Sequence, residues 1–521
     1  MFLFRRYRGF LLAGPLLAVW PVGLRAQGPA GAQPTKVQQL PLSGRQSQQS
    51  GDVLVQQTTA PGGATNSSSN LNVNVSTTNV QVQGSYLGSV PSSTTGVVAV
   101  TITIEQALRM GLQYNLGAVS SSASLRLVRG QRLAAFSALL PTVNATASET
   151  GSKTDLQTLG LIAGAFGPVS LPTTVGPFHY YDARASLNFN ALDLTALHNF
   201  RSAKEVERAA EMSDKDAREL VVLGVGGEYL KVLADVALVE AQAVQVRYAQ
   251  SSYDQTYAQN QAGTKAAVDA KRSQVQLQTE QQRLTSRRAD LVKEKRTLAR
   301  MIGLHLESEI TPAEKLVFAP GPLASVDDAL KQAMASRADL KSAAAHLRAA
   351  EESLKAARAE RMPLVNVNGY AAVQGINPDH GADVFSGTAS VNIPIFQGGR
   401  IKADEQQAHA TIDQRRAEYQ DQRGVVELDV RNAFTDLETA TNQVQVARSN
   451  RTLALETLQQ TQDQYAAGVA TSVDVVQSQQ GLASAEQDYV SSLYSYNLAR
   501  ISLARATGQA EASIPQFLKG Q

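Results

Sequence analysis

From Asp182 to Ala191 the chain alternates without a break, with Asp, Arg, Ser, Asn and Asn on one face and Ala, Ala, Leu, Phe and Ala on the other. Phe385 to Phe396 alternates similarly, with Ser386, Thr388, Ser390 and Asn392 opposing Gly387, Ala389, Val391 and Ile393. Thr142 to Ser148 and Val365 to Ala371 repeat the pattern more weakly. A period of two predicts strands with one apolar and one polar face. The two stronger segments hold ten to twelve residues, and about nine to eleven suffice to cross a bilayer obliquely. Elsewhere the period is helical. From about Thr195 to Ala262 no Pro interrupts 68 helix-compatible residues, roughly 100 Å at ~1.5 Å per residue. A helix of that length is a coiled coil or a strut. Val225, Tyr229, Val232, Val236, Val239, Ala243 and Val246 follow a coiled-coil spacing of fours and threes. On the return helix Leu277, Leu284, Leu291 and Leu298 recur at sevens, as do Leu482, Tyr489, Tyr496 and Leu503 further on.

These elements occur twice. Ile104-Glu105-Gln106-Ala107-Leu108 returns as Val326-Asp327-Asp328-Ala329-Leu330, and Pro141-Thr142-Val143-Asn144 as Pro363-Leu364-Val365-Asn366, both at an offset of 222. Ser186-Leu187-Asn188-Phe189 returns as Ser390-Val391-Asn392-Ile393 at 204; Gly263, Val268 and Asp269 return as Gly468, Val473 and Asp474 at 205. Leu298-Ala299-Arg300 likewise returns as Leu503-Ala504-Arg505. The difference of 18 residues falls on a Gly/Pro/Thr-rich stretch, about 151–178, which reads as a long loop of the first copy. The chain is therefore two equivalent halves, about 101–320 and 321–510, followed by a tail at 511–521. Each half reads as a short helix, a helix, two strands and two very long helices.

The head of the chain is different. Arg5, Arg6 and Arg8 precede an apolar run from Gly9 to Val19, and Leu24-Arg25-Ala26 offers a cut before Gln27. This matches a secretory signal over residues 1–26, and its eleven apolar residues are too few for a membrane anchor. The Arg pair also suits twin-arginine export, but nothing downstream resembles a prefolded cofactor protein, so the general route is expected. Residues 27–100 are rich in Gln, Ser, Thr, Asn and Gly and are expected to be mostly disordered, with a short strand within Asn72 to Val82.

Composition narrows the function. The 521 residues hold no Cys, which excludes disulfides, thiolate metal sites, a Cys nucleophile and a lipid-anchored Cys. With 48 Lys plus Arg against 46 Asp plus Glu, net charge gives no argument for a nucleic-acid partner. The six His residues (His179, His198, His305, His346, His380, His409) show no metal-ligand spacing. The basic run from Arg283 to Arg296 is interleaved with Asp290 and Glu294 and follows Glu280, as on a solvated helix face. Gly224, Gly226 and Gly227 lack a preceding strand and a third Gly at Tyr229, so they read as a packing or bending point and not as a dinucleotide loop. No catalytic residue, cofactor or metal is expected.

Alternating strands suit a half-buried soluble sheet as well as a membrane barrel. Export without a lipid anchor or a helical span favours the barrel. Four strands per chain cannot close, and open edges do not persist in lipid, so several chains must share one barrel. The rival reading is a structural or adhesive periplasmic coiled coil without channel activity.

Four stretches carry a resemblance. Leu140-Pro141 and Met362-Pro363 precede the first strand of each pair; Asn392-Ile393-Pro394-Ile395-Phe396-Gln397-Gly398-Gly399-Arg400 forms a strand-to-helix junction; Tyr465-Ala466-Ala467-Gly468-Val469-Ala470-Thr471-Ser472-Val473-Asp474-Val475 forms a hairpin tip. Over about residues 101–510 the chain resembles the TolC family of outer-membrane channel proteins. The resemblance implies a mainly α fold with a membrane β-barrel: a homotrimer whose twelve-stranded barrel, four strands per chain, sits in outer-membrane lipid on a long periplasmic coiled-coil α-barrel. It implies a passive exit duct of a tripartite efflux or type I protein-secretion system, opened by a periplasmic adaptor protein and a proton-driven or ATP-driven inner-membrane pump. By position Asp474 matches an acidic residue of the family's periplasmic gate, while Gln477 replaces a second one. Tyr465 matches a tyrosine that helps hold the gate closed. Its usual basic partner is Ala470 here, so the familiar latch onto the position of Asp269 cannot form that way; Lys265 is the candidate substitute. The tips Ala262, Gly263 and Thr264, and Ala467, Gly468, Val469 and Ala470, match where family members meet the adaptor.

Overall fold

The computed structural model describes residues 54–55, 80–81, 84–91, 96, 99–159, 172–319, 325–377 and 380–517. The signal segment and its cleavage site lie outside the described residues. Within the extension the two-residue strands β1 (Leu54–Val55) and β2 (Val80–Gln81) pair, the latter inside the stretch where a short strand is expected.

The two halves repeat element by element. After β3 (Ala99–Ile102), the first half runs through α1 (Ile104–Tyr114), α2 (Leu116–Ser137), β4 (Thr142–Asp155), β5 (Thr174–Leu192), α3 (Leu194–Gln261) and α4 (Ala267–Ile302). After β6 (Glu309–Pro312), the second runs through α5 (Val326–Ser336), α6 (Ala338–Ala359), β7 (Leu364–Gly375), β8 (Gly381–Asn392), α7 (Arg400–Ala466) and α8 (Ser472–Ala506). Helix α3 has 68 residues and α7 has 67, and their return partners have 36 and 35, so the duplication holds to within one residue over the long helices. A last helix, α9 (Ala510–Phe517), occupies the expected tail, and Glu511 pairs with Arg218 on α3.

Strands β4, β5, β7 and β8 form one antiparallel sheet in that order. Residues directly opposite in an antiparallel sheet share a face, so the register turns the alternation of each strand into rows. Thr142, Asn188, Asn368 and Thr388 make one polar row. Ala145, Ala185, Ala371 and Phe385 make an apolar one on the other face, where Phe385 is 89% exposed. Asp182 on the polar face bonds Arg184 and accepts from Gln374 at 2.8 Å. Strands β4 and β8 each pair on one side only among the described residues.

The strand limits differ from the sequence expectation. Gly151 to Asp155 extend β4 and Thr174 to Phe178 begin β5, so the expected loop at 151–178 is strand at both ends. Strand β8 stops at Asn392, which faces Leu364 at the start of β7. Ile393 to Phe396 have no partner strand, and Pro394 has no N–H to offer one.

The main core lies where α3 passes α1, α4 and α8. Val225, Tyr229, Leu230 and Val232 are fully buried there with Ile102, Leu298, Ile302 and Ile310. The strands β3 and β6 pair in parallel beside it, and the Tyr229 hydroxyl donates to the Ile102 carbonyl at 2.9 Å. Helix α3 runs unbroken through Gly226 and Gly227. A Cβ at Gly226 would lie 3.2 Å from Ile501 Cδ1 and one at Gly227 3.4 Å from Leu498 Cδ1, so these glycines let α8 approach closely. The end of the extension also belongs to the fold, because Tyr86 is buried against Gly117 and Ser89 bridges Asn115. The first repeat therefore gathers residues 84–91, which composition assigned to a disordered head.

Candidate functional site

Each long hairpin ends in the same turn for the same reason. After α3 the Thr264 N–H donates to the Gln259 carbonyl at 2.9 Å and the Gly263 N–H to Asn260 at 2.9 Å. After α7 the Val469 N–H donates to Gln464 at 2.9 Å and the Gly468 N–H to Tyr465 at 3.1 Å. This paired pattern closes a helix C-terminus through a left-handed residue. Gly263 and Gly468 supply it, with φ of 73° and 77°. The small, exposed turn residues Ala262, Gly263, Thr264, Ala467, Gly468 and Val469 thus form two matching tips, with Ala470 half-buried beside the second.

The helices that leave the tips start differently. Helix α8 has Thr471 as its N-cap, in a reciprocal box with Asp474 three residues on. The Asp474 carboxylate accepts from the Thr471 N–H at 2.8 Å and from its hydroxyl at 2.7 Å. The Thr471 hydroxyl, and then its N–H, hold the Asp474 carboxyl below the usual carboxylate range. Asp474 is exposed and ionised, and Gln477 is exposed one turn further along. Mutual repulsion among copies of Asp474 would act in the opposite direction; within one chain the Thr471 bonds set it.

At the equivalent place α4 has Ala266 as its N-cap, which has no hydroxyl to offer. The Asp269 carboxylate is therefore not engaged in a capping box. It accepts instead from the Ser472 hydroxyl of the other hairpin at 3.1 Å, and Arg272 lies 3.4 Å away. Lys265 does not reach Asp269 as an ion pair. Its ammonium lies 4.7 Å from the centroid of the Tyr465 ring, a cation–π contact between the hairpins. Tyr465 is 6% exposed, and its hydroxyl is buried without a hydrogen-bond partner among the described residues. Burial, and then the Asp269 charge, push that hydroxyl's pKa up.

The structure thus brings Tyr465, Lys265 and Asp269 together and leaves Asp474 and Gln477 on the exposed start of α8. Ser472 was not anticipated. The signal for it was available in the unequal N-caps, Ala266 and Thr471, of two equivalent helices. Among the described residues no group of His, Asp and Glu could hold a metal ion, and no helix is long and apolar enough to cross a membrane.

Comparison with known proteins gives the same frame. The family profile described as outer membrane efflux protein matches residues 115–304 and 329–509, one match for each half. A probable efflux pump outer membrane protein, TtgC of Pseudomonas putida, is 23% identical over 340 residues, covering 62% of this chain and 68% of its own. A probable outer membrane lipoprotein, SilC of Salmonella typhimurium, is 22% identical over 63% of this chain and 72% of its own. Among solved structures, the Campylobacter jejuni CmeC outer membrane channel shares the fold at a TM-score of 0.68 and 16% identity, covering 84% of this chain and 95% of that one. The chain belongs to the outer membrane efflux protein family, the TolC-like channels, and is an outer-membrane transport protein and not an enzyme.

Proposed function

We propose that three copies of this chain close one twelve-stranded barrel in outer-membrane lipid and continue it as a helical tunnel across the periplasm. The duct is passive, and a periplasmic adaptor and an inner-membrane pump open it. The observation that carries this reading is the four-stranded sheet with both edges unpaired among the described residues and its rows divided into polar and apolar faces. An edge in lipid leaves backbone groups without partners, at a cost of several kcal/mol each, so copies must supply them. In the barrel the row of Thr142, Asn188, Asn368 and Thr388 lines the bore, and that of Ala145, Ala185, Ala371 and Phe385 meets lipid. Efflux is favoured over protein secretion because the matched family and the relative TtgC are named for efflux.

In this reading the hairpin tips form the periplasmic gate. Asp474 is the charged group of its constriction, with Gln477 one turn further along α8, and Tyr465, Lys265 and Asp269 belong to the contact between the tips. Three Asp474 carboxylates in a narrow bore select for cations. The turns at 262–264 and 467–470 meet the adaptor, their small residues allowing close backbone approach. The test is conductance of the purified full chain in planar bilayers, comparing the parent with Asp474→Asn. Asn keeps an acceptor for Thr471 and removes the charge. The parent is expected to give a small cation-selective conductance and the variant a lower selectivity. A parent that stays soluble without detergent and carries no current would favour the structural coiled-coil reading instead, and unchanged selectivity would remove Asp474 from the constriction.

A further inference from the structure

We propose that Ser472 is a positioning residue of this gate, tying the two hairpin tips of one chain together through Asp269. The proposal rests on the gate reading above and assigns how the tips are held when the latch onto Asp269 has no base at Ala470. A cavity of 960 Å³ lies beside β6, lined from both hairpins by Leu233, Val236, Tyr248, Leu482, Tyr489 and Leu493 among others. Arg287 on α4 donates to Gln487 on α8 across the hairpins at 3.0 Å. At the tips, contact is made again by the Ser472–Asp269 hydrogen bond and by Lys265 over Tyr465.

The duplication explains why this tie runs one way. Asp269 and Asp474 both stand three residues after their N-caps, but Thr471 engages only Asp474. The N-cap Ala266 leaves Asp269 available to the other hairpin. Ser472 is the first residue of α8, and its equivalent at the start of α4 is Ala267, which has no hydroxyl with which to bind Asp474. One donor and one acceptor therefore meet once per chain. A hydroxyl bonded to a carboxylate is a charge-assisted bond, and no second titratable partner is needed to form it. The Tyr465 hydroxyl is left without a partner among the described residues, so across the hairpins it is Ser472 and not the tyrosine that bonds the carboxylate, while Arg272 of the same helix as Asp269 donates to the same carboxylate oxygen at 3.4 Å.

The experiment measures open probability and ion selectivity of the full chain in planar bilayers, together with its melting temperature in detergent. Ser472→Ala is expected to raise open probability at least about tenfold, the factor that one such hydrogen bond is worth, since a trimer loses one from each chain. Selectivity and melting temperature should stay at parent values, because Asp474 and its cap are untouched. Ser472→Thr, which keeps the hydroxyl, is expected to restore the parent's open probability. If Asp474→Asn lowers selectivity while Ser472→Ala leaves open probability unchanged, the tie is overturned and the gate reading stands. An increase that Ser472→Thr fails to reverse overturns it as well. A parent without conductance overturns the gate reading and the tie together.

Discussion

Glu228 gives a prediction in which the pH dependence of stability reports on the packing of the first long hairpin. Its carboxyl lies on α3 among Lys231 and Asp235 of the same helix, Glu294 of α4 and Tyr494 of α8. Burial, and then the hydrogen bond and charge of Glu294, push it up from 4.5 to about 8, against the pull of Lys231. Lys231 bonds Glu294 at 2.8 Å, so one ammonium serves a group of three carboxyls. The folded chain keeps a proton on Glu228 over a range in which the unfolded chain has lost it. The contribution of Glu228 to stability is therefore fully present below 4.5 and is lost as pH rises towards about 8. Holding a proton through one further pH unit is worth about 1.4 kcal/mol. Glu228 is half-buried and shares its proton with Glu294, so only part of the full span is realised in stability, about 1.4–3 kcal/mol. Glu228→Gln keeps a donor for Glu294 and carries no charge. The variant should match the parent near about pH 5 and exceed it by that amount near about pH 9. Thermal unfolding in detergent across this range is the assay. Parallel curves for the two chains at every pH would refute the argument.

Two further substitutions test the packing that fixes the hairpins. Tyr229→Phe removes the donor to the Ile102 carbonyl and to Glu314, which also accepts from the Ile104 N–H at 3.1 Å. With Tyr229 fully buried, the loss is expected to cost about 1–3 kcal/mol. Melting temperature should fall, with faster hydrogen exchange around Ile104. Gly117→Ala places a Cβ 2.3 Å from Tyr86 Cδ1, so the buried ring must move. Overpacking of this kind costs about 1–3 kcal/mol, and limited proteolysis should then cut more readily within 84–91.

How much the sequence disclosed depends on whether a feature repeats along one segment. Helix α3 was legible almost to the residue because its period and its freedom from Pro are local; the structure adds Asp193 as its cap, accepting from the Ala196 N–H at 2.8 Å. Strand β5 was legible only from Asp182. Its first residues include Gly176 and Pro177, break the alternation and are strand because β4 lies beside them as far as Asp155. The reverse error arose at Ile395 and Phe396, whose apolar character extends a pattern that has no partner strand to pair with. The four-residue strands β3 and β6 and the buried Tyr86 gave no period at all. At the site, Tyr465 and Asp269 were legible through resemblance. The tie of Asp269 to Ser472 was not, because the two meet across 203 residues and Asp269 is freed for it only by the Ala at 266.

The duplication also says where copies meet. Gly226 and Gly227 on α3 have Arg431 and Asn432 as their equivalents on α7, and Leu498 and Ile501 on α8 correspond to Lys293 and Arg296 on α4. The first set forms the close contact of α3 with α8 inside one chain. Arg431, Asn432, Lys293 and Arg296 are all exposed. In the proposed ring of six equivalent halves, α7 of one copy must meet α4 of the next as α3 meets α8. That junction brings charged residues together where the intrachain one has Gly, Leu and Ile. Glu427 lies 2.8 Å from Arg431 and Asp290 lies 2.9 Å from Lys293, so each face carries its own counter-charge into the contact. A polar interface of this kind is weaker and wetter than the intrachain seam, which suits a tunnel whose copies move relative to one another while each chain stays intact. Because the chain has no Cys, the variant carrying both Arg431→Cys and Arg296→Cys is a clean probe. A short thiol cross-linker should yield covalent dimers and trimers, and monomers alone from an intact trimer would show that α7 and α4 of adjacent copies do not meet.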